Sequence, residues 1–294
     1  MRLRILLAMT SLCLRGPMLH PRLLILTRPS GVLQLGWDPE SARQLAIPGV
    51  DGDTLRRFLD LLDGLRTRPQ IIWRATELGL TAQRASELLA TLDDAGLLVH
   101  PDTPAGQVRR VRVHGLGPLS DAVTAGLRRF GLRPQRSRGD RLDLRPRPDL
   151  VVLTDTLKPD PRLTDQLLRE QIAHLPVHLR DGVGVVGPLV LPGETGCLRC
   201  ADLLRADYDP EWPGVAAQLL GRVGHGSPPA IEATAALALR ELESIIACSV
   251  RRRPAVLHAQ LELDPGSYRL RIRHRTPHER CLCRRIRTDH DAQV

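Results

Sequence analysis

The chain has 294 residues, 42% of them hydrophobic; this exceeds the usual size of one compact domain and is enough to bury a core, so two domains are expected. The formal net charge is +9, but Lys158 is the sole lysine and the arginines are spread along the chain. A nucleic-acid groove needs clustered cations with interleaved aromatics, and at 2% aromatic content this composition argues against one.

Arg2 and Arg4 followed by the apolar run Ile5 to Leu14 imitate a secretory signal, but no small-x-small cleavage site follows and the run is too short to span a bilayer. Met18 offers a second start. Residues 1–18 therefore read as a start-site extension or disordered segment, and the chain as a cytoplasmic protein without membrane contact. A true export signal would instead turn the cysteines into disulfides.

Residues 19–107 form one module. Leu33, Leu35 and Trp37 alternate as one face of a short strand ended by Asp38-Pro39. Leu55, Phe58, Leu59 and Leu62 recur at helical spacing, with Asp53 as N-cap and Gly64 placed to end the helix. Ile71, Ile72, Ala75 and Leu78 predict a second helix after Pro69. Thr81 caps a third that carries Ala85, Leu88, Leu89 and Leu92, and Gly96 closes it. Leu97 to Val99, a turn through 101–106 and the run from Val108 complete a helix-helix-helix-hairpin order, that of a winged helix. Such a module reads DNA through its third helix or accepts an extended peptide on its sheet edge. Gln83 and Arg84 are the only good base readers, and Glu87, Asp93 and Asp94 add repulsive charge, so the peptide reading is preferred to a DNA-binding regulator.

Residues 108–294 form the second domain. Val111 to Val113 is a buried-type strand that runs at once into Gly115-Leu116-Gly117-Pro118-Leu119-Ser120 and a helical pattern to Phe130. In nucleotide folds such glycines let the backbone approach a phosphate at the helix N-terminus; a tight turn also uses them for steric reasons alone. Ser120 stands where a third glycine would be. After an arginine-rich interval, Asp149 to Asp155 is an apolar strand of the kind buried in parallel sheets, and Leu163, Leu167 and Leu168 mark a helix before a strand at Val177 to Leu179. Alternating strands and helices predict an open α/β sheet. Arg251 to Arg253 end the long helical run from Ile231, where cations complement the helix dipole.

The strongest chemical signal is Cys197-Leu198-Arg199-Cys200 together with Cys281-Leu282-Cys283. Two thiolate pairs close a tetrahedral zinc shell with no open position, which makes the site structural and staples two distant stretches of chain. His274 and His278 are nearby substitutes for one thiol. Cys248 and Cys13 read as small buried hydrophobes.

The run Gly187 to Cys200, with the Gly115 turn, the Asp149 strand, the Ile231 helix and the terminal cysteines, resembles the ThiF-like (ubiquitin-activating-enzyme-like) family, especially members of azole and azoline peptide biosynthesis. The N-terminal module resembles the precursor-recognition element of such proteins. The resemblance implies a Rossmann-like ThiF-type α/β domain with a four-cysteine zinc site, preceded by a small winged helix. It further implies a protein that binds the leader of a ribosomal precursor peptide and presents it to a YcaO-type ATP-dependent cyclodehydratase, often as a homodimer. Adenylating relatives need an acid for ribose, arginines and a lysine around the triphosphate, and an aspartate for magnesium. The interval from Phe130 to Asp149 supplies no Asn-Leu-x-Arg pattern and no lysine, Lys158 is expected to be exposed, and Asp155 is the one candidate acid, with a turn or cap role preferred. Gly115 and Gly117 are thus expected to form a degenerate nucleotide turn, without ATP binding or adenylyltransferase activity. No catalytic residue stands out; His114, His174, His178 and His225 are scattered, as surface or packing residues would be.

Overall fold

The computed structural model describes residues 16–100, 108–247 and 253–284, so Cys13, Cys248, Arg251, Arg252 and the expected turn at 101–106 lie outside the described residues. The chain divides into two compact units at residues 103 and 104. No helix among the described residues is long and apolar enough to cross a membrane.

In the first unit, β2 (Ile25–Thr27), β3 (Leu33–Leu35) and β4 (Arg43–Leu45) form an antiparallel sheet with β3 in the middle, and β1 (Met18–Leu19) pairs with β5 (Leu98–Val99). Three helices follow the sheet: α1 (Gly52–Asp60), α2 (Arg68–Glu77) and α3 (Ala82–Asp94). Their apolar stripes converge with Leu33 and Leu35 on one core around Phe58, which has no exposed surface.

Several expectations need correction here. Trp37 leaves the buried face of its strand and is 76% exposed, because Gly36 takes a positive φ of 108° that turns the chain after Leu35. Asp51, not Asp53, caps α1: its carboxylate accepts from the Thr54 N–H at 2.8 Å. The helix ends at Leu61, before Gly64. β5 pairs with β1 rather than with the run from Val108. Thr81 caps α3 as expected, accepting from the Arg84 N–H.

The second unit is a seven-stranded sheet in the order β12-β11-β10-β9-β8-β6-β7. β6 (Val111–His114), β7 (Gln135–Ser137), β8 (Leu150–Thr154) and β9 (Ala173–Arg180) run parallel; β10 (Val183–Val186), β11 (Ala259–Asp264) and β12 (Arg269–His274) continue antiparallel. The sheet is therefore mixed. Asp181 and Gly182, at φ 52° and 80°, make the tight turn that reverses β9 into β10.

α4 (Pro118–Arg129) and α8 (Pro228–Ala247) cover one face through Leu119, Val123, Leu127, Ala238 and Leu242, whereas α5 (Pro161–Arg169) covers the other through Leu163 and Leu167. β8 has all five residues buried because it is covered on both faces. The close approach of α4 and α8 depends on Gly126, where a Cβ would stand 2.1 Å from Leu239 Cδ1. α6 (Leu198–Tyr208) and α7 (Trp212–Gln218) complete the unit.

Candidate metal centre

Two segments whose paired cysteines are 84 and 83 positions apart in sequence meet at the start of α6. Thr195 organises the first: its hydroxyl donates to the Leu189 carbonyl at 2.9 Å and accepts from the Leu191 N–H at 2.8 Å, which folds the turn that leads into Cys197. Cys197 then occupies the N-cap of α6, and Cys200 sits in its first turn. The second segment lies against Gly196, where a Cβ would be 3.1 Å from the Thr276 carbonyl oxygen. Asp207 holds it at the far end of α6, accepting from His278 Nε2 at 2.6 Å and from Arg280. Cys281 and Cys283 are thereby delivered to the pair on α6.

The four sulfurs lie within 4.8 Å of one another and all four residues are buried. The Cys197–Cys200, Cys197–Cys281 and Cys200–Cys283 sulfur separations are 3.7, 3.6 and 3.5 Å. A disulfide needs about 2.05 Å. A tetrahedral shell with metal–sulfur bonds of about 2.3 Å puts its sulfurs about 3.8 Å apart. The spacing thus fits four ligands around one cation and excludes two disulfides. Four thiols this close cannot all ionise on their own: hydrogen bonding to Cys200 pushes Cys197 up, and the same hydrogen bond holds Cys200 down. A cation removes that conflict by stabilising all four as thiolates. Leu168 and Val190 pack around the sulfurs and keep water out. The four cysteines can hold a metal ion; His278 is engaged by Asp207, and His274 lies exposed on β12.

The glycine turn is built differently. Gly115 has a φ of 152°, and a Cβ there would stand 2.2 Å from Thr154 Oγ1; at Gly117 a Cβ would stand 2.7 Å from Asp155 Oδ1. Asp155, at the end of β8 with φ 68°, thus directs its carboxylate into the turn at the N-terminus of α4. Burial raises its pKa, partly offset by the polar groups of Ser120, Thr154 and Leu119 nearby, while the Ser120 and Thr154 hydroxyls themselves donate to the Gly117 and His114 carbonyls at 2.8 and 3.1 Å. Among the described residues Oδ2 has no hydrogen-bond partner. At the end of β7, where a dinucleotide fold carries its ribose-binding acid, stand Ser137 and Arg138; Ser137 instead bonds His114 Nδ1 at 3.0 Å.

His174 is fully buried beside Val190, and burial lowers its pKa to about 4; His225 is exposed. The expectation of an exposed Lys158 is wrong. Its side chain is 18% exposed and its ammonium contacts Asp202 of α6 at 2.5 Å. Spacing on α6 would have flagged Asp202, since Arg199, Asp202 and Arg205 recur at three-residue intervals; nothing local could say that residue 158 faces them.

No family model matches the sequence, and no curated protein matches it. The fold does match solved structures. A heterocyclase in complex with substrate and cofactor superposes with a TM-score of 0.62 at 18% identity, over 91% of this chain and 39% of that one. The heterocyclase TruD gives 0.58 at 17%, over 91% and 42%. E. coli MccB with ATP gives 0.60 at 11%, over 91% of this chain and 99% of that one. The chain spans about two fifths of the length of these heterocyclases. At such identities the likeness establishes a shared fold.

Proposed function

We propose that this chain is a non-adenylating ThiF-like protein that binds the leader of a ribosomally made precursor peptide and presents it to a YcaO-type cyclodehydratase. In this reading residues 19–107 are a winged-helix peptide-recognition domain and residues 108–294 a degenerate ThiF-like domain. The observation that carries it is the glycine turn: the helix N-terminus that would receive a phosphate already receives the Asp155 carboxylate. A second anion brought there would meet like charge in a buried place. β7 ends on Ser137 and Arg138, and the nearest acid beyond it, Asp140, lies against Arg162 at 4.0 Å. Support for the peptide role comes from the shared fold, since a heterocyclase with its substrate and MccB with MccA are among the matching structures.

The first unit would take the peptide as an added strand. β2 and β4 are the edges of its sheet and have exposed residues, so each leaves backbone groups for an extended segment. Cys197, Cys200, Cys281 and Cys283 would hold a structural zinc whose closed shell leaves no position for catalysis. The DNA-binding alternative is disfavoured by Gln83, whose amide donates to Glu87 at 3.0 Å.

The test is hydrogen exchange on the full chain with a synthetic leader taken from the short Cys/Ser/Thr-rich reading frame nearest its gene. Protection confined to residues 25–99, with no ATP–pyrophosphate exchange under the same conditions, supports the reading. Exchange activity, or protection absent from those residues, refutes it.

A further inference from the structure

A cavity of about 290 Å³ opens in the second unit between the segment after β8, the middle of β9 and one face of α6. Arg199, Asp202 and Arg205 line it from α6 at intervals of three residues, so one helical face forms the wall. Lys158 and His178 close it from the sheet side. A single carboxylate, Asp202, serves three donors here: Lys158 Nζ at 2.5 Å, Arg205 Nη1 at 3.2 Å and the Trp212 indole N–H at 3.2 Å. It neutralises one of the two cations it touches.

The surroundings deepen the excess. Gln260 forms the cavity floor, accepting from Arg275 Nη2 at 3.2 Å and donating to Glu262 at 3.1 Å. Glu262, a nearly buried acid, pairs with both Arg180 at 3.0 Å and Arg273 at 2.7 Å. Lys158, Arg199, Arg205, Arg180, Arg273 and Arg275 are six cations, against Asp202, Glu262 and the lining Asp165, three acids; three positive charges remain. Solvated surface arginines would not explain this. The Arg205 side chain is only 34% exposed and that of Lys158 18%, so both have given up hydration within reach of like charge. Lost hydration, then the charges of Arg180 and Arg205, push His178 down to about 4, which leaves it a neutral donor or acceptor at the wall.

We propose that this cavity is an oxyanion site that takes one compact carboxylate or phosphate group between Lys158, Arg199 and Arg205. Its volume suits one such group with a residue-sized body, since pockets for larger ligands begin at about 300 Å³. The carboxylate would come from a peptide terminus or acidic side chain, the phosphate from a nucleotide or free phosphate. The site is separate from the glycine turn that Asp155 fills.

Trp212 reports on the site, because its indole N–H shares Asp202 with the two cations and its ring stacks under Arg205 at 5.1 Å. The experiment is a titration of the full ¹⁵N-labelled chain with inorganic phosphate and, separately, with acetate, against sodium chloride at equal ionic strength. The indole resonance is assigned by Trp212→Phe. A saturable shift with phosphate alone identifies a phosphate source; an equal or stronger one with acetate identifies a carboxylate source. Lys158→Met and Arg205→Met should each weaken binding about tenfold, the weight of one charge-assisted hydrogen bond. Arg199→Ala, at an exposed position that folding tolerates, should weaken it several-fold. Shifts no larger than those of chloride, or an affinity unchanged in Arg199→Ala and Lys158→Met, would overturn the assignment.

Discussion

The second unit holds two places built from loop residues at the start of a helix, and they differ in what they ask of a ligand. At the glycine turn the chain supplies its own anion: Asp155 stands against Gly115 and Gly117 at the head of α4. At the head of α6 it assembles four sulfurs within 4.8 Å of one another, donors that only a cation can hold together as thiolates. A helix start is an anion site by its dipole in both cases, yet one is already filled and the other is converted into a cation site by thiolate charge. Under the proposed function, the same fold would lose nucleotide chemistry while keeping a metal staple.

The largest effect expected from breaking this contrast is loss of the staple. Cys200→Ser should abolish stoichiometric metal and remove folding energy on the order of 10 kcal/mol from the second unit. Metal analysis with circular dichroism checks this; a variant that retains one metal per chain and its melting temperature would sever the cluster from stability.

Acidification should act next. His174 is neutral in the folded state, with a pKa near 4, and ordinary when unfolded. The stability it protects is present above about pH 6.5 and is lost as pH falls towards 4, by up to about 3 kcal/mol. His174→Gln should flatten that slope in denaturant melts. A native slope left unchanged would clear His174 of the effect.

At the glycine turn, Gly117→Ala should cost about 2 kcal/mol, since the new methyl would overlap the Asp155 carboxylate. Adding Asp155→Gly should restore most of the loss; strictly additive effects would mean that the carboxylate is not the obstacle. The smallest effect is electrostatic. The raised pKa of Asp155 means that its stability contribution is greatest below the ordinary carboxylate range and fades as pH rises through the folded value. Asp155→Asn should therefore gain in stability on the native protein as pH rises above the ordinary carboxylate range, read from denaturant melts at several pH values. A difference independent of pH would place the carboxylate in water.

Much of this was legible in the residues. The spacing of Phe58, Leu88 and Leu92 marked helices because burial of one stripe leaves no other period, and Cys197-x-x-Cys200 announced a ligand pair because few other roles need that interval. What escaped has physical reasons. β7 and β4 are short polar strands, Gln135–Ser137 and Arg43–Leu45, that show no apolar alternation because they lie at sheet edges. The antiparallel half of the sheet carries a local mark in Asp181-Gly182, a turn that demands positive φ, which the expectation of an open α/β sheet left unused. Neither the orientation of the Asp155 carboxylate nor the contact of Lys158 with Asp202, 44 residues away, leaves a local mark.

The most direct test of the contrast is native mass spectrometry of the chain, purified without chelator and incubated with magnesium and ATP. The predicted mass is that of the polypeptide with one zinc ion and no nucleotide. A species carrying ATP or AMP, or a chain free of metal, would contradict the account.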